Sequence, residues 1–169
     1  MILASRIALV GFMGAGKTTV GRALARRLGY RFADSDHAVE AKTGRTVRDV
    51  FAEEGEAAFR RLEREALDTL LREAGVVIAT GGGAFVEPET ALLLRERAIV
   101  VHLDCGLEEA LRRAEKSGGR PLLDSGPEAV AALFAARKDK YAQAHIEVST
   151  TRRAPADVVA EILKSLPPR

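Results

Sequence analysis

Gly11-Phe12-Met13-Gly14-Ala15-Gly16-Lys17-Thr18 is the stretch on which the fold turns. It follows Ile7–Val10, a short apolar run that reads as a buried strand. It leads into Thr18–Leu28, where Val20, Ala23, Leu24 and Leu28 recur at helical spacing and Gly29 closes the pattern. The stretch fits the pattern G-x-x-x-x-G-K-[ST]. Its glycines let the backbone turn tightly and aim N–H groups inward at phosphate oxygens, and the helix that follows adds the positive end of its dipole. Lys17 supplies a point charge for β- and γ-phosphates, and Thr18 a hydroxyl for Mg²⁺. The bare pattern arises by chance in about one chain in a hundred of this length. Between a strand and a helix it sits in the one context where it works, so the chain is expected to bind a nucleotide.

Working outward, Arg31–Ala33, Val76–Thr80, Ile99–Leu103 and Ile146–Ser149 read as four further strands. Helices are predicted between them. Thr46-Val47-Arg48-Asp49 has capping-box form and starts a short helix that Gly55 interrupts. Glu56–Glu73, Pro88 to Leu94, Leu107–Glu115, Glu128–Ala144 and Pro155–Leu166 are helical in pattern. Ser117–Pro127, rich in Gly, Ser and Pro, reads as a mobile loop. Strands alternating with helices imply a parallel sheet covered on both faces. The 169 residues suffice for one such α/β domain, and no linker divides them.

Composition removes several function classes. The formal charge is +2 with acids and bases interspersed, so nothing favours nucleic acid. A single cysteine, Cys105, allows neither an internal disulfide nor a cysteine metal cluster, and His37, His102 and His145 lack metal-site spacing. No apolar stretch approaches a membrane span, and Met1 to Ala15 lacks the basic start of a signal peptide. The chain has no Asn, which removes the Asn-Lys-x-Asp guanine reader of GTPase switches.

Two acidic sites compete for the metal. Ile99–Asp104 has the form of an apolar strand ending in Asp. Asp34-Ser35-Asp36 follows the second strand, and in an extended segment Asp34 and Asp36 would point to one side and share a cleft. The same two residues could instead cap a helix beginning near His37. Arg60 is either a surface charge paired with Glu63 at i, i+3 or a clamp for a substrate carboxylate. Gly81-Gly82-Gly83 lets backbone N–H groups approach a ligand. Arg120, in the Gly/Ser-rich loop, could neutralise a transferring phosphoryl group.

As a set these residues resemble the shikimate kinases. The match is collinear from Gly11 to Pro155. It rests on GFMGAGKTT, DSD at Asp34–Asp36, TGR at Thr43–Arg45, FRRLE at Phe59–Glu63, TGGGA at Thr80–Ala84, RPLL at Arg120–Leu123 and TRRAP at Thr151–Pro155. The resemblance implies a three-layer αβα P-loop kinase fold with a five-stranded parallel sheet. It implies an acceptor-binding region at about residues 34–63 and a mobile lid at about 115–127. It implies transfer of the γ-phosphate of ATP to the 3-hydroxyl of shikimate with Mg²⁺, by a cytoplasmic monomer without nucleic-acid or membrane partners. Carried over by position, Gly14, Ala15, Gly16, Lys17, Thr18 and Thr19 hold ATP, with Arg113, Arg120, Arg153 and Pro155 around it. Asp36, Arg60, Gly81, Gly82, Gly83 and Arg137 hold shikimate, and Thr18 and Asp34 serve the metal. Lys17, Asp36 and Arg120 are the expected catalytic residues. The chain departs from the family's R-x-P-L-Y: Arg137-Lys138-Asp139-Lys140-Tyr141 keeps Arg and Tyr but lacks Pro and Leu. Two other readings stand beside this one, a related metabolite kinase such as a gluconate kinase and a non-catalytic ATP-binding module.

Overall fold

A computed structural model describes residues 5–116 and 125–168. Five strands, β1 (Arg6–Val10), β2 (Arg31–Asp34), β3 (Val76–Ala79), β4 (Ile99–Asp104) and β5 (Ile146–Ser149), form one sheet in the order β2-β3-β1-β4-β5. Every pairing is parallel. Parallel strands buried on both faces need continuous apolar runs. The central strands have them: Ile7 to Val10, Val76 to Ala79 and Ile99 to Leu103 are all buried. β2 and β5, at the edges, mix buried and exposed positions.

Among the described residues seven α-helices accompany the strands, six between them and one after the last: α1 (Lys17–Leu28), α2 (Ser35–Thr43), α3 (Val47–Leu70), α4 (Pro88–Arg97), α5 (Leu107–Lys116), α6 (Pro127–Tyr141) and α7 (Pro155–Ser165). α1 and α7 pack together on one face, while α3, α4 and α6 meet around a short 3₁₀ turn, Ala84–Val86, as right-handed crossovers require. A second, smaller apolar cluster, Val39, Val50, Phe59 and Ala66, lies between α2 and α3, outside the main core. Among the described residues no helix is long and apolar enough to cross a membrane.

Three expectations about local structure change. The short helix from Thr46 and the longer one from Glu56 are one run, kinked at Gly55 (φ 83°, ψ 176°), a conformation only glycine adopts without strain. The Thr46 hydroxyl does cap it, accepting from the Asp49 N–H at 3.1 Å. The helix after the Gly/Ser-rich loop stops at Tyr141 rather than Ala144. The segment Asp34-Ser35-Asp36 is not extended throughout, because α2 already begins at Ser35.

Candidate active site

The glycine-rich loop leaves β1 and enters α1 beside a cleft of about 340 Å³ whose walls include Gly14, Gly16, Lys17, Thr18 and Thr19. No side chain of the loop fills that cleft. Gly14 is left-handed (φ 74°), and a Cβ there would overlap the Ala110 carbonyl of α5. The loop therefore holds its bend against α5. Gly16, also left-handed, is the residue before α1 and brings no capping side chain. The Lys17 ammonium folds back to donate to the carbonyls of Gly11 (2.5 Å) and Phe12 (3.0 Å). Ala15 is buried, and its N–H donates to the Phe12 carbonyl at 3.2 Å. These two anchors close the loop on itself before any ligand arrives.

Asp34 and Asp36 both line this cleft, opposite Lys17 and Thr18. Of the two backbone readings, the capping one holds for Asp34 and the extended one does not. Asp34 ends β2 and caps α2, its Oδ1 accepting from the N–H groups of Asp36 (2.9 Å) and His37 (3.3 Å), while Asp36 lies in the first helical turn. A cap and a first-turn residue are brought to one cleft by the strand-to-helix bend. Asp104 lines a separate small cavity with Phe12, His102 and Tyr141. Of the two acidic sites, Asp34 and Asp36 share the cleft with Lys17 and Thr18, and Asp104 is not among that cleft's walls.

Next to Asp36, at the edge of the cleft, stands the turn Gly81-Gly82-Gly83. These glycines are needed for space. A Cβ on Gly81 would stand 2.5 Å from Glu63 Oε1 and 3.1 Å from Asp36 Oδ1. One on Gly82 would be 3.2 Å from Arg137 Nη1, and one on Gly83 would collide with the Arg60 guanidinium. The Gly81 N–H is already used, donating to the buried Ser35 hydroxyl at 3.0 Å. The turn thus admits four charged side chains to one place, a role that the expectation of free N–H groups does not describe.

Arg60 pairs with Glu63 at 2.7 Å, so the i, i+3 pairing foreseen in the sequence exists, but it is no surface pair. Glu63 is fully buried, and its Oε1 has no hydrogen-bond partner among the described residues; nor has Arg60 Nε. Burial pushes the Glu63 carboxyl up to about 7, against the pull of the Arg60 guanidinium and with a further push from Asp36. Arg137 is buried with its guanidinium over the Phe12 ring of the phosphate loop, 5.8 Å from the centroid. Two guanidinium groups and an aspartate thus converge next to the phosphate cleft, which is what an anionic hydroxylated acceptor requires.

The remaining expected residues are arranged as follows. Arg113 lines the cleft, its Nη1 3.8 Å from the place a Gly16 Cβ would take and its Nη2 bonded to Glu109 (2.6 Å) and the Thr150 carbonyl (3.0 Å). Arg153 is turned toward α7, donating to Glu161 (2.5 Å) and to the carbonyls of Ser149 and Asp157. Pro155 is the first residue of α7. Arg120, with the rest of RPLL and most of the expected lid, lies outside the described residues. Glu63, Ser35 and Tyr141 are site residues that sequence reasoning missed. Glu63 carried a signal: it falls in the apolar stripe Phe59, Ala66, Leu67 and Leu70 of α3, where a charge needs a reason. A larger groove of about 580 Å³ between α3 and α4 lies away from all of this and is walled by paired charges such as Arg72–Asp68.

Comparison with known proteins agrees with this geometry. The family model described as shikimate kinase matches residues 13–167. A shikimate kinase of Symbiobacterium thermophilum is 50% identical over 169 residues, covering 96% of this chain and 97% of the relative. One from Geobacter sulfurreducens is 47% identical over 158 residues, covering 92% and 87%. The crystallised shikimate kinase from Acinetobacter baumannii in complex with shikimate superposes with a TM-score of 0.89 at 41% identity, covering 95% of this chain and 91% of that one.

Proposed function

The chain belongs to the shikimate kinase family, and from that membership we infer that it moves the γ-phosphoryl group of ATP onto a hydroxyl of shikimate, the 3-hydroxyl. The observation that carries the reading is the convergence of Asp36, Arg60 and Arg137 on a glycine turn beside the phosphate loop.

In this reading the loop N–H groups and the α1 N-terminus take the phosphate tail. Lys17 leaves its loop carbonyls for the β- and γ-phosphates, and Arg113 and Thr19 border the nucleotide. Arg60 and Arg137 grip the acceptor carboxylate, and Asp36 orients the acceptor hydroxyl in line with the γ-phosphorus. Glu63 holds Arg60 in place from behind. A loose transition state asks little of a base, so Asp36 acts mainly by orientation and takes up the proton as the new P–O bond completes. Arg120 is assigned the neutralisation of the transferring group, within a lid over about residues 115–127. Thr18 and Asp34 line the same cleft and offer a hydroxyl and a carboxylate, the hard oxygen donors that would suit Mg²⁺. The metal would supply positive charge to offset that of the phosphate tail. Thr18 and Asp34 would hold it, and the Oδ1 bonds that cap α2 would keep the Asp34 carboxylate in place. We read the protein as a cytoplasmic monomer, consistent with its single buried thiol and single domain; a dimer in sedimentation velocity would overturn that.

The test follows ADP release with ATP, Mg²⁺ and either shikimate or gluconate, in wild type and Asp36→Asn. Wild type is expected to accelerate with shikimate alone. Asp36→Asn is expected to lose about 10²- to 10³-fold in kcat at an unchanged thermal midpoint. Near-normal turnover in the variant would remove Asp36 from the mechanism.

A further inference from the structure

Tyr141 closes α6, one helical turn after Arg137. The proline of the family's R-x-P-L-Y is absent here, so α6 runs unbroken from Pro127 to Tyr141 and Arg137 and Tyr141 share one face at i, i+4. The Tyr141 hydroxyl donates to the Gly82 carbonyl at 2.5 Å, across 59 residues of sequence. The Arg137 guanidinium stands beside the same glycine, its Nη1 3.2 Å from the place a Gly82 Cβ would take. The ring is buried and stacks on His102 of β4, with centroids 4.9 Å apart. His102 in turn lies 3.1 Å from Glu147 on β5.

We propose that Tyr141 is a positioning residue for the acceptor: its hydroxyl accepts from Arg137 and donates to Gly82, fixing the second carboxylate-gripping arginine against the glycine turn. The inference rests on the assignment of Arg137 to the acceptor carboxylate. The chemistry requires a hydroxyl. A phenol both donates and accepts, so it can link a guanidinium, which only donates, to a carbonyl, which only accepts. Burial pushes this phenol up to about 12, so its proton is in place throughout the neutral range. Stacking on His102 holds the ring from the sheet side, so the hydroxyl arrives from a fixed direction. Two-point binding of a carboxylate tolerates displacement of only about 0.5 Å, so the last turn of α6 must be held closely.

Tyr141→Phe keeps the ring and removes only the link. The variant is compared with Arg137→Lys and with the double variant in steady-state kinetics, with thermal midpoints alongside. Tyr141→Phe is expected to raise KM for shikimate about tenfold while KM for ATP and kcat stay within about twofold. Arg137→Lys is expected to raise the same KM more, because an ammonium cannot replace a bidentate fork. The double variant should be no worse than Arg137→Lys alone, as for a residue acting through Arg137. An unchanged KM for shikimate in Tyr141→Phe, with Arg137→Lys impaired, overturns the role of Tyr141 alone. So does an equal loss in both KM values and kcat with a lowered midpoint, which is what a purely structural residue would give. An unimpaired Arg137→Lys brings down the assignment of Arg137 and the Tyr141 inference with it.

Discussion

Eight consecutive residues, Gly11 to Thr18, make the phosphate end of the cleft, and they make it largely from backbone. The acceptor end takes Asp36 from α2, Arg60 and Glu63 from α3, the turn after β3, and Arg137 and Tyr141 from α6, and makes its contacts with side chains. The two ends meet at Phe12, whose ring lies under the Arg137 guanidinium while its carbonyl holds Lys17. A phosphate tail is the same in every ATP, so a fixed nest of amides serves it. An acceptor must be told from other metabolites, and that takes charged groups at set distances, each buried and each needing a partner. The phosphate end should therefore fail through chemistry, and the acceptor end through recognition.

Lys17→Ala gives the sharpest form of that contrast. It removes the charge that faces the transferring phosphoryl group, and kcat is expected to fall about 10³-fold. The Gly11 and Phe12 carbonyls it held are buried and lose a charged donor, so the variant is also expected to lose about 1–3 kcal/mol of stability in the absence of nucleotide. Binding of shikimate without nucleotide, followed by calorimetry, should survive. If Lys17→Ala instead abolished shikimate binding, the two ends would be one structural unit and the contrast would be wrong.

The same contrast governs what was readable in the sequence. All five strands and the phosphate loop were legible, because apolar runs and one contiguous glycine pattern encode them locally. The convergence of Asp36, Arg60 and Arg137 was not encoded locally. It depends on sheet order, and only resemblance to a family supplied it. Local reasoning left DSD between an extended segment and a helix cap, and the structure takes the cap at Asp34, since α2 begins inside the motif. The useful local signal was a charge in an apolar helical stripe: Glu63 among Phe59, Ala66 and Leu67, and Arg137 among Val130, Phe134 and Tyr141. The gluconate-kinase reading fell to family membership, because a P-loop alone cannot choose an acceptor.

Gly83→Ala tests the acceptor end without touching a charge. Its φ of −96° suits alanine, so any cost comes from the methyl group meeting the Arg60 guanidinium. Arg60 must then shift, and KM for shikimate is expected to rise about 10- to 100-fold, the worth of a charged hydrogen bond or two. KM for ATP should stay within about twofold. A rise in both would show that the glycine turn serves the whole cleft.

Least in its effect on turnover is Glu63→Gln, which separates recognition from stability. The amide oxygen can still accept from Arg60, so KM for shikimate should rise only a few-fold. Stability is where the difference appears. The Glu63 carboxyl is near 4.5 unfolded and about 7 folded, so the folded state holds the extra proton between those values. Its contribution is full below about pH 4.5 and is lost as pH rises through 7, about 3 kcal/mol in all. Other groups oppose it. The His145 ring nitrogen accepts from the Val100 N–H at 3.0 Å, and partial desolvation pushes the imidazole below its ordinary value. It therefore loses stability as pH falls through the range below 6.5. The paired carboxylates Glu65, Asp68 and Glu109 are held low by their partners and act below about pH 4. A raw pH profile of wild type would mix these signs. The difference between wild type and Glu63→Gln, from urea unfolding at pH 5, 6, 7 and 8, cancels them and leaves Glu63. The variant should gain on wild type steadily up to pH 7 and then hold level. A flat difference would mean that Arg60 keeps Glu63 charged throughout, and that the acceptor end pairs its charges as completely as the phosphate end satisfies its backbone.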